Sequence, residues 1–127
     1  MFTDCGGGFI TDTRGQLNSP NYPSNYPDSA ACDWFITGAN GTRIVLLIND
    51  IDTEPGYDGI IIRDGFSGSD AMLLEYSGSA TNLAVLSNGL KIFVGFYSDD
   101  SISYRGFNMT WQTVSGNVDK DNLLSYF

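Results

Sequence analysis

The sequence predicts an all-β fold, an antiparallel sandwich of two packed sheets with about five strands each. Three observations predict it. The first 112 residues carry no helical periodicity; their apolar positions alternate or come in short runs. Gly, Asn, Asp, Ser and Pro bound those runs. Phe and Tyr together number 15 in 127 residues, which is enough to fill one core. The length is too short for two ordinary domains.

The elements follow in order. Asp33 to Thr37 reads as a strand with Trp34 and Ile36 on one face. Asn40-Gly41 predicts a hairpin leading into Arg43 to Ile48. Gly59 to Arg63 is short and β-branched, and Asp64-Gly65 supplies the turn after it. Met72 to Tyr76, Leu83 to Leu86, Lys91 to Phe96 and Gly106 to Gln112 complete the set. Asn88-Gly89 predicts a second hairpin between two of these runs. The globular domain is expected to span 1–112. Residues 113–127 differ: Ser115-Gly116-Asn117 is flexible in composition, and Val118 to Phe127 permits a short helix with Leu123, Leu124 and Phe127 on one side. This segment is read as a tail or a short helix, the helix docking on the sandwich or on a second copy.

Charge narrows the function. Fifteen acids against 6 bases give a net charge of −9, which disfavours nucleic acid and anionic lipid as partners. A cation or a basic protein surface fits better. No apolar run is long enough to insert into a bilayer. Met1-Phe2-Thr3-Asp4 lacks the basic start and apolar stretch of a signal peptide, so a secreted form is expected to be a processed or excised piece. Two cysteines, Cys5 and Cys32, with no His fit no zinc pattern. They are either free buried thiols or a disulfide. A bridge would enclose the Pro-Asn-Tyr stretch, stabilise by about 3–4 kcal/mol and imply an oxidising compartment.

Asp50, Asp52, Glu54, Asp58 and Asp64 fall within fifteen residues, with Arg63 the only base among them. The plain reading is a solvated acidic loop. The sharper one uses Glu54 and Asp58 from this loop and Asp99 from the loop after Phe96, since loops at one end of a sandwich converge. Three carboxylates brought close repel unless protonated or paired with a cation. Calcium suits them, with its six to eight oxygen ligands and flexible geometry; magnesium suits them less. Asp50, Asp52 and Glu54 match only the start of an EF-hand loop, and the flanking helices and the later Glu are missing. The absence of His removes Ser-His and Cys-His nucleophile pairs. A Ser-Lys pair has no supporting motif around Lys91 or Lys120, and a paired-carboxylate glycosidase is the remaining enzymatic option. The chain is not read as an enzyme.

Cys5-Gly6-Gly7, Ser19-Pro20-Asn21-Tyr22-Pro23-Ser24-Asn25-Tyr26-Pro27, Cys32-Asp33-Trp34-Phe35-Ile36, Tyr57-Asp58, Asp64-Gly65, and Phe96-Tyr97-Ser98-Asp99-Asp100-Ser101 with Gly106-Phe107 occur in that order. This succession resembles a CUB domain, an extracellular jelly-roll-like β-sandwich used for binding, and covers Cys5 to about Gln112. For calcium-binding members the resemblance implies metal ligands at Glu54, Asp58 and Asp99, with a backbone oxygen of Ser101 or Ile102. Tyr26 would support an acid of the site by hydrogen bonding. The resemblance also implies that a Lys or Arg of a protein partner engages Glu54, Asp58 and Asp99, with Tyr26 beside them. Most members have four cysteines. Cys5 and Cys32 are the pair kept here; Ser77-Gly78 stands where a Cys-Gly is expected, so the bridge tying the acidic loop to a later strand is missing. Pro55 is expected to limit that loop's freedom.

The rival reading is a glycan-binding or oligomerising module independent of calcium, with Tyr22, Tyr97 or Tyr104 stacking on sugars; a core or bracing role is the plainer one for each. A spacer within a longer extracellular protein is the third. Asn40-Gly41-Thr42 and Asn108-Met109-Thr110 are glycosylation sequons, and Asn40, in a turn, is the better candidate.

Overall fold

The computed structural model describes Cys5 and residues 7–127; the readings of Met1 to Asp4 and of Gly6 lie outside the described residues. The strands are β1 (Gly8–Ile10), β2 (Arg14–Asn18), β3 (Ala31–Thr37), β4 (Thr42–Asp52), β5 (Gly59–Arg63), β6 (Met72–Tyr76), β7 (Ser79–Leu86), β8 (Lys91–Tyr97) and β9 (Gly106–Ser115). They form an all-β sandwich. One sheet has five strands in the order β1-β3-β8-β5-β6, and the other has four in the order β2-β9-β4-β7. Trp34 and Ile36 of β3 and Ile92, Val94 and Phe96 of β8 face Ile44, Leu46 and Ile48 of β4 and Phe107, Met109 and Trp111 of β9 in the buried core.

Four expectations are corrected. The short strands β1 and β2 carry too little apolar signal to be seen in sequence. One pair is parallel: β1 runs alongside β3, with Phe9 opposite Phe35. The cause is local, because Cys5 precedes β1 and bonds to Cys32 at the start of β3, with Cα atoms 5.6 Å apart, tying like ends together. Asn40-Gly41 and Asn88-Gly89 make turns, yet neither closes a hairpin: β3 to β4 and β7 to β8 each cross from one sheet to the other. Finally, β4 does not stop at Ile48 but runs on to Asp52 through a register shift at Asn49. That bulge changes the phase of the strand. Ile44, Leu46 and Ile48 face inward before it; Ile51 faces inward after it, leaving Asp50 and Asp52 only part-buried.

Beyond residue 112, β9 continues to Ser115, and a 3-10 turn at Leu123–Tyr126 lies against β4 and β7. The Gln112 side-chain amide donates to the Tyr126 carbonyl, and the Asp119 N–H donates to the Tyr126 hydroxyl at 2.9 Å. Val45 and Leu47 alternate with the inward residues of β4, yet both are buried. Leu124 and Phe127 are exposed rather than sharing a covered side with Leu123.

Candidate functional site

Strand pairing brings three chain segments to one end of the sandwich. β4 ends at Asp52, β5 begins at Gly59 and β8 ends at Tyr97, with Gly59 opposite Tyr97. Asp58 therefore sits beside the Ser98-Asp99 loop, and the Asp99 N–H donates to Asp58 Oδ1 at 2.7 Å. The Asp58 N–H donates to the Glu54 carbonyl at 3.0 Å, closing the loop between them into a tight turn. Glu54, Asp58 and Asp99 then each present a carboxylate oxygen, all within 4.8 Å of one another.

Tyr26 reaches this cluster from the Tyr-Pro stretch. Its ring is buried and packs edge-on against Phe96. Its hydroxyl donates to Asp58 Oδ2 at 2.5 Å and accepts from the Glu54 N–H at 3.1 Å. Burial, then the bond to Asp58, hold this phenol well above its ordinary pKa, so it stays a donor. Both oxygens of the fully buried Asp58 are thereby engaged. The same stretch is anchored at Ser19, whose Oγ accepts from the Phe107 N–H at 2.9 Å. Gly106 makes this possible, since a Cβ there would lie 1.9 Å from Ser19 Oγ and the backbone has φ +88.

The acidic run does not act as one solvated loop. Arg105 grips Asp50 through Nε and Nη2, both at 2.7 Å, and Asp52 through Nη1 at 2.8 Å. The guanidinium, followed by the Tyr22 hydroxyl at 2.8 Å, holds the Asp50 carboxyl below its usual range against the opposing effect of burial. Tyr22 is thus a brace. Asp64 accepts from the backbone and side-chain amides of Asn88 at 2.9 and 2.8 Å. Among the described residues, Glu54, Asp58 and Asp99 have no cationic partner. Ser101 donates its N–H to Asp99 Oδ1 at 3.2 Å, and Ile102 is exposed with φ +56, an uncommon conformation for a β-branched residue. Neither makes a hydrogen bond to Glu54 or Asp58 among the described residues.

Sequence reasoning missed a second set of residues. The loop lacking a covalent tie is fastened by hydrogen bonds to the Ser77-Gly78 turn. The Gly56 N–H donates to Ser77 Oγ at 3.0 Å, the Thr53 N–H to the Gly78 carbonyl at 3.0 Å, and the Gly78 N–H to Thr53 Oγ1 at 2.9 Å. The signal was present, as Ser77-Gly78 stands at the position of a missing Cys-Gly.

Glu54 decides what the cluster fits. Its Oε1 is buried and has no hydrogen-bond partner among the described residues. Burial first, then the charges of Asp99 and Asp58, hold its carboxyl above the usual range. A buried acceptor left unpaired beside two further carboxylates is a poor arrangement for the bare protein and a suitable one for a hard cation with oxygen ligands. No helix of the described residues is long and apolar enough to cross a membrane.

Residues 5–111 match the CUB domain family. Cubilin of Sus scrofa is 34% identical over 116 residues, covering 88% of this chain; the chain spans only 3% of the length of that relative. The full extracellular region of zebrafish Gpr126/Adgrg6 superposes with a TM-score of 0.79 at 28% identity, over 90% of this chain and 15% of that one. The MASP-1 CUB2 domain bound to Ca2+ does so with a TM-score of 0.68 at 27% identity, over 84% of this chain and 97% of that one. With these likenesses and a formed disulfide, the chain is an extracellular module. The order of motifs, the two-sheet topology and the match across nearly the whole sandwich lead to one conclusion: the chain belongs to the CUB domain family.

Proposed function

We propose that this chain is a calcium-dependent recognition module that binds a protein partner through one of the partner's Lys or Arg residues. The observation that carries the reading is the buried Glu54 Oε1, with no hydrogen-bond partner among the described residues, within a triad of carboxylates whose oxygens lie within 4.8 Å of one another. Glu54, Asp58 and Asp99 would hold the ion, with a backbone oxygen of Ser101 or Ile102 and water completing the shell. Calcium supplies the positive charge that allows the three carboxylates to remain ionised together. Tyr26, only 2% exposed, acts on a partner through Asp58 rather than by touching it.

The chemistry of recognition follows from the ordered acids. The outward lone pairs of Glu54 and Asp99 accept a charge-assisted hydrogen bond from an ammonium or guanidinium group, and the fully buried Asp58 acts through the ion rather than by touching the partner. A loop already fixed by calcium loses less freedom on docking. The net charge of −9 favours the encounter with a basic surface. The MASP-1 CUB2 neighbour bound to Ca2+ supports the choice of metal. The module binds and does not catalyse.

N-acetyl-lysine amide is a sufficient probe. Titrated into labelled protein in calcium, it should shift the backbone amide resonances of residues 54–58 and 98–102, whereas the norleucine analogue should not. Shifts that persist in chelator, or that are equal for the two analogues, contradict the reading. Retained binding of glycans in chelator would favour the calcium-independent alternative, for which Tyr97 and Tyr104 offer exposed rings, as does Tyr57.

A further inference from the structure

We infer that Asn40 carries an N-linked oligosaccharide and that Asn108, the second sequon, does not. Composition cannot separate the two sites, because ten Asn and 22 Ser or Thr in 127 residues yield about two sequons by chance. The structure separates them. Asn40 is exposed in the turn between β3 and β4, where Gly41 at φ +83 carries the chain round. Its side chain hydrogen-bonds to no described residue, and Thr42 Oγ1 donates to the Ala39 carbonyl at 2.6 Å on the same turn. Asn40 is thus exposed with no described partner to give up, and its sequon hydroxyl lies on the same turn.

Asn108 lies in β9, paired on one side with Asn18 of β2 and on the other with Asp50 of β4. Its Nδ2 donates to Asn18 Oδ1, and its Oδ1 accepts from Asn49 Nδ2 at 2.9 Å. Its sequon hydroxyl, Thr110 Oγ1, accepts from the same Asn49 amide at 2.9 Å. A sugar on Asn108 has to displace this ladder from a half-buried strand with neighbours on both sides. A sugar on Asn40 displaces no hydrogen bond. Transfer at Asn108 therefore works against folding, and transfer at Asn40 does not.

The co-reactant is a lipid-pyrophosphate-linked oligosaccharide of the secretory compartment. Asn40 Nδ2 bonds to the anomeric carbon of the first sugar. The bond from that carbon to the pyrophosphate oxygen breaks, the lipid pyrophosphate leaves with the electron pair, and the amide gives up one proton. Strand β4 runs the 11 residues from Thr42 to Asp52. At about 3.3 Å per residue, it places Asn40 roughly 30 Å from the acid triad. The glycan stands at the opposite end of the sandwich, leaving the triad open and obstructing docking at its own end.

The test is secretion from animal cells behind an added signal peptide, followed by intact mass measurement of the secreted chain before and after peptide N-glycosidase. Enzymatic release in ¹⁸O-water then marks each formerly modified Asn as a labelled Asp in peptide maps of the parent protein. One glycan per chain, with the label on Asn40, is expected; Asn40→Gln should lose it, and Asn108→Gln should keep it. No mass shift in the parent, label on Asn108, or a glycan surviving in Asn40→Gln overturns the inference. Because the map is made on the parent, the result does not depend on a variant that fails to fold.

Discussion

Thr53 is 1% exposed, and its hydroxyl is the acceptor for the buried Gly78 N–H. Removing that oxygen while keeping the side chain's shape leaves an unpaired donor. Thr53→Val should therefore lower stability by about 1–3 kcal/mol in urea denaturation, and an unchanged midpoint would remove Thr53 from the loop's fastening. Arg105 makes a different prediction, one of pH. The folded-state pKa of Asp50 is depressed chiefly by the Arg105 guanidinium, so the pair contributes stability above the ordinary carboxylate range and loses it as pH falls through the depressed value. The melting temperature of Arg105→Leu should fall below that of the parent near neutrality, and the gap should close as pH drops below about 4. A gap that stays constant from neutrality to pH 2 would contradict the pairing. At this scale the triad and Tyr26 were legible because their motifs keep their order along the chain. Arg105 was not, since its partners lie more than fifty residues away and face it only after the bulge at Asn49. Ser77 was marked only by its place where a Cys-Gly is expected, and Thr53 was hidden because a hydrogen-bonded tie leaves no signature comparable to a cysteine pair.

At the scale of elements, strands with strong alternation were read to within a few residues, and β5 and β6 at their bounds. Asn-Gly turns gave the right bend with the wrong pairing. A two-residue turn sets a local reversal, but which sheet receives the next strand depends on core packing between layers. The segment after Gln112 shows the same limit: its apolar residues are few, and its role depends on what it covers. Val45 of β4 is 0% exposed and Leu47 is 7%, with the 3-10 turn against their strand. Truncation after Ser115 should expose both. At about 1.5–3 kcal/mol per aliphatic side chain fully uncovered, stability should fall by a few kcal/mol, and dye binding to apolar surface should rise. A truncated chain with the parent's urea midpoint would show that the segment is a dispensable tail.

For the molecule as a whole, the sandwich assembles three loops that local sequence cannot bring together. β4, β5 and β8 belong to two different sheets, and their ends meet only when the layers pack. Two of the acids in the acidic run are then paired with the single guanidinium of Arg105, while Glu54, Asp58 and Asp99 have no cationic partner among the described residues. A ligand that binds the folded form alone raises its stability by RT ln(1 + L/Kd), where L is the free ligand concentration. The direct measurement is the melting temperature against calcium concentration, with magnesium as control and Asp99→Ala alongside. The melting temperature of the parent should climb with millimolar calcium, and neither magnesium nor calcium with Asp99→Ala should reproduce the rise. A parent that melts at the same temperature in chelator and in saturating calcium, or an Asp99→Ala variant with the full rise, would contradict the assignment of a calcium ion to these three carboxylates.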